Sequence, residues 1–241
     1  MRTGFFVPGK VKKAYAYTTA FGLYHFYMNG EKVGKDEFTP GWTDYLEHLL
    51  YQVYDVTSYV KEGYNMAGAV IGSGWYKTPE RFKELRSPYG DRLAFLCQIE
   101  IEYENGEKEN IITDSSWECA ESPILFSEIY DGETYDARLE RKGWNEEKGK
   151  AYSWRKPEII AVDKKILTAQ SGGKVKEIER LPVKRFFETP KGEQVIDFGQ
   201  NLAGWVEFKV KGRRGDKVEL HCFEVLDNEG NVYRDNLRTA K

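Results

Sequence analysis

The sequence is poor in the residue types that build reactive centres. Its 241 residues include only three histidines and three cysteines, and the cysteine number is odd, so the cysteines cannot all pair within the chain. These residues are His25, His48, His221, Cys97, Cys119 and Cys222. Their spacing matches no zinc site, so we predict no metal centre, although a role for calcium stays open. Glycine-rich phosphate loops, nucleophile elbows and HExxH helices are also missing, and no cofactor is predicted.

Long apolar runs and a strong net charge are missing too. No run approaches the roughly 20 apolar residues that span a bilayer, so no membrane partner is predicted. The first ten residues, MRTGFFVPGK, lack the apolar centre and cleavage site of a signal peptide, which slightly favours the cytoplasm. The formal charge is −3 with both signs interspersed, which makes nucleic acid an unfavourable partner.

Aromatic residues and alternating β patterns are what the sequence has in abundance. There are 16 Tyr, 13 Phe and 6 Trp, and such rings stack on sugars but also fill β-sandwich cores, the reading that we favour. LAFLCQIEIEY alternates over residues 93–103, which places Cys97 on an apolar face. Asn29-Gly30 and Asn105-Gly106 are hairpin turn signals. Helical periodicity is short, so the chain is predicted to be all-β, a sandwich or jelly roll.

A second alternating pair lies near the end of the chain. WVEFKVKG and DKVELHCF predict two strands joined by a turn over residues 212–216. Their apolar faces are expected to bury Val206, Phe208 and Val210 against Val218, Leu220 and Cys222. Between residues 143 and 165 the sequence is charged and weakly periodic. We therefore predict a first β domain over residues 1–150, a linker over 151–165 and an incomplete second β-sandwich over 166–241.

Three loop motifs carry the candidate site residues. They are Trp42, Asp44 and Tyr45, then Trp75 and Tyr76, then Glu133, Tyr135, Asp136 and Arg138. Each has two interpretations, because rings and carboxylates can contact a sugar but can equally pack and fasten their own loops. Carboxylates are plentiful, yet sequence cannot show that two of them face one cleft as glycosidase chemistry requires. The residues alone therefore predict an all-β protein in which sugar binding is one option and no catalytic set is visible.

The motifs together resemble a family. In chain order they are LYHFYMNGEKVG, TPGWTDY, YQVYDVTSYVKEGYNMAGAVIGSGWY, SEIYDGETYDAR, VIDFGQNLAGWVEFKVKG and HCFEVLDNEGNVYRDNLRTA. This order is similar to that of bacterial α-L-rhamnosidases of the inverting, helical-barrel type, over nearly the whole chain. The resemblance implies an N-terminal, galactose-binding-like jelly-roll β-sandwich followed by part of a second β-sandwich.

The resemblance also implies that catalysis and the functions of this chain lie in different parts of the family's proteins. The family's catalytic acid and base lie in an (α/α)6 barrel with no counterpart here, so no catalytic residue is assigned to this chain. The reaction implied is release of terminal, non-reducing α-L-rhamnose from rhamnosides by water. The nine loop residues would then contact rhamnose-containing glycosides or dock the barrel. A self-sufficient carbohydrate-binding module is the alternative, and a small hydrolase using Glu133 and Asp136 is a third and weaker hypothesis.

Overall fold

Strands make up nearly all of the regular structure, as the sequence predicted. The computed structural model describes residues 1–78, 87, 89–147, 152–238 and 240, which divide into two compact units, Met1–Glu177 and Ile178–Lys241. The strands of the first unit are β1 (Arg2–Val7), β2 (Val11–Phe21), β3 (Leu23–Met28), β4 (Glu31–Lys32), β5 (Asp36–Glu37), β6 (Leu49–Asp55), β7 (Gly63–Gly72), β8 (Ala94–Tyr103), β9 (Lys108–Ile112), β10 (Ile124–Glu128), β11 (Gly132–Tyr135), β12 (Leu167–Ala169) and β13 (Val175–Lys176). Those of the second are β14 (Arg185–Glu188), β15 (Gln194–Asp197), β16 (Val225–Leu226) and β17 (Val232–Tyr233).

The first unit is a β-sandwich. One sheet has the order β1-β7-β3-β4 and the other the order β12-β6-β2-β8-β9, while β10-β11 and β13-β5 form two-stranded ribbons. The two larger sheets meet through aromatic rings: the rings of Tyr24 and Phe26, both on β3, lie 5.4 Å and 6.2 Å from the ring of Phe95 on β8. Trp117 closes this core with no exposed surface.

The core follows from the alternation read in the sequence. On β8, Phe95, Cys97, Ile99 and Ile101 are buried, and the residues between them are not. Burial raises the pKa of the Cys97 thiol, so this cysteine is an inert core side chain, as predicted. Chain reversals also occur at the predicted turns. Asn29-Gly30 joins β3 to β4 with both residues at positive φ, a conformation that asparagine and glycine tolerate best.

A buried amide fastens the last segment of the first unit to the sandwich. β12 pairs in parallel with β6, and Gln170 directly after it accepts a 2.7 Å hydrogen bond from Nε2 of Gln52. Gln52 also donates to the carbonyl oxygen of Pro40 at 3.2 Å and accepts from the Tyr24 hydroxyl at 2.5 Å. The predicted linker 151–165 and residues 166–177 therefore lie within the first compact unit; the predicted domain boundaries stay a prediction.

The second unit consists of two short hairpins that brace each other through polar side chains. Glu193 Oε2 accepts a hydrogen bond from the Val232 amide at 2.9 Å, and Asn231, which is buried, accepts one from the Lys191 amide at 3.0 Å. Val195 is a buried apolar residue here, whereas most of the other large apolar side chains of the unit are exposed.

Two expectations about this unit were wrong. Residues 204–223 form no strand, and the apolar residues expected to face one another are exposed: Val206, Phe208, Val210, Val218 and Leu220. Cys222, expected to be buried, is exposed as well. A two-stranded ribbon is marginal unless a further layer covers its apolar face, and nothing described in this unit does so. The predicted turn is present, since the Asp216 amide donates to the Arg213 carbonyl at 3.1 Å.

Among the residues that the structure describes, helical structure is confined to three short 3-10 turns, Ala137–Leu139, Lys164–Ile166 and Asp235–Leu237. In the part of the chain that the structure describes, no helix is long and apolar enough to cross a membrane. The sandwich is therefore a β scaffold from which loops project, and the candidate site residues lie on these loops and on the β10-β11 ribbon. The all-β prediction is confirmed; the jelly-roll connectivity stays a prediction.

Candidate functional site

One backbone bridge and one ring contact bring the loops of the predicted site together in the first unit. The first loop, residues 38–48, connects β5 to β6, and the second, residues 73–78, follows β7. The third is the turn of the β10-β11 ribbon. The second and third loops touch through a parallel bridge between Gly74 and Glu128, and the first and second touch through Trp42 and Trp75. The second loop thus contacts both the first and the third loop, although all three are well separated in sequence.

Three rings form what we call the aromatic ledge, composed of Phe38, Trp42 and Trp75. The indoles of Trp42 and Trp75 are stacked, with centroids 5.9 Å apart and planes 6° from parallel, and the Phe38 ring lies 5.9 Å from Trp75 at 52°. Trp42 is nevertheless 59% exposed. An indole that is held by a neighbouring ring and open to solvent offers a rigid apolar surface to a flat ligand.

The other two predicted aromatic residues, Tyr45 and Tyr76, lie in a buried cluster against which Trp75 of the ledge packs. Tyr45 and Tyr76 are both buried, and their rings meet edge to face at 5.5 Å. Tyr76 stacks on Phe21 at 4.8 Å, while the Tyr45 hydroxyl donates to the Gly41 carbonyl at 2.7 Å. Burial raises the pKa of each of the two phenols. Their surfaces are therefore inside the protein, and their role in this structure is to position the two loops that carry Trp42 and Trp75.

Asp44 shapes its own loop. Its carboxylate accepts a 3.2 Å hydrogen bond from the Leu46 amide, and its carbonyl accepts from the amides of Glu47 and His48 at 3.0 Å and 2.8 Å. Thr43 closes the same turn by donating from its hydroxyl to the His48 carbonyl. The Asp44 residue itself is exposed. This pattern is that of an aspartate that stabilises a turn while its carboxylate stays accessible to solvent or a ligand.

Sequence reasoning missed Glu128, a buried carboxylate that fixes the third loop. Only 6% of the residue is exposed, and its Oε2 accepts hydrogen bonds from the amides of Tyr130 and Asp131 at 2.6 Å and 2.7 Å. Its Oε1 is buried without a hydrogen-bond partner. The sequence places Glu128 just before the Asp131-Gly132 turn, where an acid is expected to be exposed, and the prediction selected Glu133 after that turn instead. Phe38 was also missed, although it directly precedes the Thr-Pro-Gly bend.

The predicted acids of the third motif lie along the ribbon and the 3-10 turn after it. Asp136 caps that turn, accepting hydrogen bonds from Nε and Nη2 of Arg138 at 2.7 Å and 2.5 Å. The Tyr135 hydroxyl donates to Glu140 at 2.7 Å, and burial, followed by this bond, raises the pKa of Tyr135 to about 12. Burial also raises the pKa of Glu133. The hydrogen bonds described for the Tyr135, Asp136 and Arg138 side chains stay within this segment, between Tyr135 and Glu140 and between Arg138 and Asp136.

The arrangement suits recognition better than chemistry. Asp136 is engaged with Arg138, and within residues 1–78, 87, 89–147, 152–238 and 240 no three His, Cys, Asp or Glu side chains cluster as a metal site would need. What the loops present is an aromatic ledge beside a fixed acidic turn. These features define an all-β module whose loops carry an ordered and exposed aromatic surface.

Comparison with known proteins gives the family. "Alpha-L-rhamnosidase N-terminal domain" matches residues 9–179, and "Bacterial alpha-L-rhamnosidase concanavalin-like domain" matches residues 187–241. The chain belongs to the α-L-rhamnosidase N-terminal domain family. The α-L-rhamnosidase of Streptomyces avermitilis is 39% identical over 234 residues, which are 96% of this chain and 22% of that protein. One from Alteromonas sp. is 32% identical over the whole chain and 26% of its own length.

Solved structures agree in fold. The native α-L-rhamnosidase of Aspergillus terreus superposes with a TM-score of 0.95 at 37% identity, covering 100% of this chain and 28% of that one. The S. avermitilis enzyme complexed with L-rhamnose gives 0.91 at 39% identity, covering 99% and 23%. The chain therefore spans about a quarter of the length of the relatives it matches.

Proposed function

We propose that this chain is the non-catalytic front segment of an α-L-rhamnosidase, a glycoside hydrolase that releases terminal, non-reducing α-L-rhamnose from rhamnosides. The observation that carries the proposal is the end-to-end match to α-L-rhamnosidases, which extends through both compact units at 37–39% identity. The chain supplies scaffold and a recognition surface, and its partners are rhamnose-containing glycosides and the catalytic barrel of the whole protein.

The described carboxylates of the third loop and its ribbon form no plausible acid and base pair, which supports a non-catalytic role. An inverting glycosidase needs one carboxyl group that stays protonated and a second that activates water across the sugar. Here Glu133 has a raised pKa, as an acid would, but Asp136 is held by Arg138 and caps a turn. Glu128 is 6% exposed, its Oε1 is buried and its Oε2 accepts hydrogen bonds from two backbone amides, so it does not reach a sugar without rearrangement.

Substrate recognition is assigned to the aromatic ledge. Sugar rings have apolar C–H faces that stack on indoles, and Trp42 offers an exposed indole whose orientation is fixed by Trp75. Asp44 lies two residues from Trp42 on the same loop and is exposed, so its carboxylate is available to accept hydrogen bonds from hydroxyl groups. This observation also favours the alternative function, a self-sufficient carbohydrate-binding module.

Titration of the 241-residue chain with L-rhamnose, followed by tryptophan fluorescence and calorimetry, tests these roles. D-Galactose is the control sugar, and Phe6→Ala, which removes a 64% exposed ring on β1, is the control variant. We expect Trp42→Ala to weaken rhamnose binding about tenfold, the equivalent of ~1.4 kcal/mol. If the wild-type chain shows no saturable binding up to roughly 10 mM, weaker than most specific ligands, the recognition role is refuted and the scaffold role remains.

A separate assay tests the absence of catalysis. The purified chain is incubated with an aryl α-L-rhamnoside, and release of the aryl group is followed against a buffer blank. We expect no release above the blank. Turnover that is lost in Glu133→Gln but retained in the matched surface variant Glu147→Gln would overturn the non-catalytic assignment and establish the small-hydrolase hypothesis.

A further inference from the structure

Two Asn-Gly dipeptides form hairpin turns in the first unit, and the fold treats their side chains differently. Asn29-Gly30 lies between β3 and β4, and Asn105-Gly106 lies between β8 and β9. An asparagine that precedes glycine is chemically labile, because glycine has no Cβ to hinder its backbone nitrogen from attacking the preceding carboxamide carbon. The fate of each dipeptide in the folded chain therefore depends on how firmly its carboxamide is held.

Asn29 is held at both polar atoms of its side chain by residues distant in sequence. Its Nδ2 donates to the Tyr59 carbonyl at 2.8 Å and to Oδ1 of Asn65 at 2.9 Å, and its Oδ1 accepts from the Met66 amide at 2.9 Å. Asn65 is fully buried. To place its Cγ against the Gly30 nitrogen, the Asn29 side chain has to leave all three partners, which requires that this part of the sandwich opens.

Asn105 lies in a turn that is open to solvent. Residues 104–108 are all exposed, and a Cβ placed at Gly106 would have no other atom of the described chain within 4 Å. The hydrogen bonds described for the Asn105 side chain both go to Glu107, from Nδ2 to Oε2 at 2.9 Å and from the Glu107 amide to Oδ1 at 3.0 Å. The Gly106 amide donates to the Tyr103 carbonyl at 3.0 Å, and such a surface turn bond opens locally at low cost.

The contact with Glu107 also activates the Asn105 carboxamide. The Glu107 N–H that bonds Oδ1 draws electrons toward this oxygen and makes Cγ more electrophilic. When a nitrogen adds to Cγ, the negative charge develops on Oδ1, where this donor already lies. Glu107 belongs to the same turn as Asn105, so the donor accompanies the carboxamide, whereas the amide that bonds Asn29 is fixed on β7.

We infer that Asn105 is a site of spontaneous deamidation in the folded chain and that Asn29 is protected from the same reaction. The Gly106 nitrogen bonds to Cγ of Asn105, and Nδ2 leaves as ammonia with the amide hydrogen, which closes a five-membered imide. Water then cleaves the imide. Cleavage of the bond from nitrogen to Cγ gives aspartate, and cleavage of the bond from nitrogen to the backbone carbonyl carbon gives isoaspartate. Water is the only co-reactant, and the inference does not depend on the proposed function.

The reaction changes the β8–β9 hairpin. Both products place a carboxylate where Nδ2 donated to Glu107, so two like charges meet. Isoaspartate also adds one carbon to the backbone of the turn, which is closed by hydrogen bonds from the Gly106 amide to the Tyr103 carbonyl and from the Tyr103 amide to the Glu107 carbonyl. Because β9 is the edge strand of its sheet, we expect the modified chain to be less stable there.

The test ages the purified 241-residue chain in mildly alkaline buffer and follows the peptides that contain the two dipeptides by mass spectrometry. The mass gain from replacing NH2 by OH reports deamidation. Methylation by an isoaspartyl-specific carboxyl methyltransferase reports isoaspartate, which direct hydrolysis of the carboxamide does not form. We expect Asn105 to convert at least about tenfold faster than Asn29 in the folded chain, and the two rates to agree within about threefold in urea above the unfolding midpoint.

Two variants assign the difference to the turn and to the fold. Asn105→Gln keeps the carboxamide but would need a six-membered ring, so the aged variant is expected to keep its urea midpoint while the aged wild type unfolds at lower urea. Asn65→Ala removes one partner of Asn29 and is expected to speed conversion at Asn29 but not at Asn105. Equal rates at the two dipeptides in the folded chain, no isoaspartate at residue 105, or a tenfold difference that persists in urea would each overturn the inference.

Discussion

Replacing Gln52 by leucine is the sharpest test of how the loops are held. Gln52 is 1% exposed and lies on β6 where three elements meet. Its amide nitrogen donates hydrogen bonds to the carbonyl of Pro40 in the first loop and to the side chain of Gln170 after β12. Its amide oxygen accepts a hydrogen bond from Tyr24 on β3. Leucine has similar volume but no polar atoms, so the substitution removes the three hydrogen bonds without creating a large cavity.

The cost follows from the groups that are left behind. The Tyr24 hydroxyl keeps its bonds to Thr18, at 2.7 Å to the hydroxyl and 3.1 Å to the carbonyl, so it remains satisfied. The Pro40 carbonyl and Oε1 of Gln170 lose a buried donor. A buried group left unsatisfied costs about 1–3 kcal/mol, and two such groups predict a loss of roughly 2–6 kcal/mol in the free energy of unfolding.

Urea unfolding followed by tryptophan fluorescence measures this loss, with the midpoint and slope fitted for the first unit. Gln98→Leu is the matched control, because this amide on β8 of the same sheet is half-exposed and donates to the exposed Glu100 side chain. It is expected to cost less than about 0.5 kcal/mol, as surface substitutions do. A Gln52→Leu loss no larger than that of Gln98→Leu would show that water satisfies the groups and that the amide does not hold the loop.

Two further predictions concern stability. The fully buried Asn65 side chain accepts hydrogen bonds from the Lys61 amide and from Asn29, and donates to the carbonyls of Lys61 and Gly63. Asn65→Ala should therefore lower the free energy of unfolding by roughly 2–4 kcal/mol, measured by urea unfolding. The control, Asn105→Ala at an exposed position, should lower it by less than about 1 kcal/mol. Burial and then the Lys32 charge lower the pKa of His25 in the folded state, despite its 2.6 Å contact with Glu37. As pH falls, His25 therefore becomes protonated in the unfolded chain before it does so in the folded chain. The contribution of His25 to the free energy of unfolding is complete above about pH 6.5 and is lost as pH falls through the lower folded pKa. Wild type should lose more stability than His25→Gln between pH 7.5 and pH 5, and equal losses would contradict the assignment.

Much of the first unit could be predicted from the sequence, because its signals are local. Alternation on β8 identifies the buried side of the strand, and Asn-Gly dipeptides identify turns whose backbone requires positive φ. The parallel pairing of β12 with β6 could not be predicted, because Leu167–Ala169 is three residues long and lies more than a hundred residues from its partner. Non-local pairing of so short a strand leaves no period in the sequence.

The candidate site was predictable in its residue types but not in its geometry. Trp42 and Trp75 were both identified, yet only the tertiary fold brings them into a stack. The sequence also does not show that Trp42 is exposed whereas Tyr45, three residues away, is buried. Glu128 illustrates the converse difficulty. An acid beside an Asp-Gly turn is expected to be exposed, and its burial depends on the bridge to Gly74, which belongs to a distant loop.

The alternating residues of the second unit show what such a pattern does and does not specify. Period-two alternation sorts side chains onto two sides of a chain, so Val206, Phe208 and Val210 do share a side in any extended conformation. Burial requires a second layer against that side, and this information belongs to another stretch of chain. On β8 the opposite sheet supplies Tyr24 and Phe26, whereas the described part of the second unit leaves Val206, Phe208 and Val210 exposed. The same pattern is therefore a core strand in one unit and an exposed segment in the other, and the covering layer makes the difference.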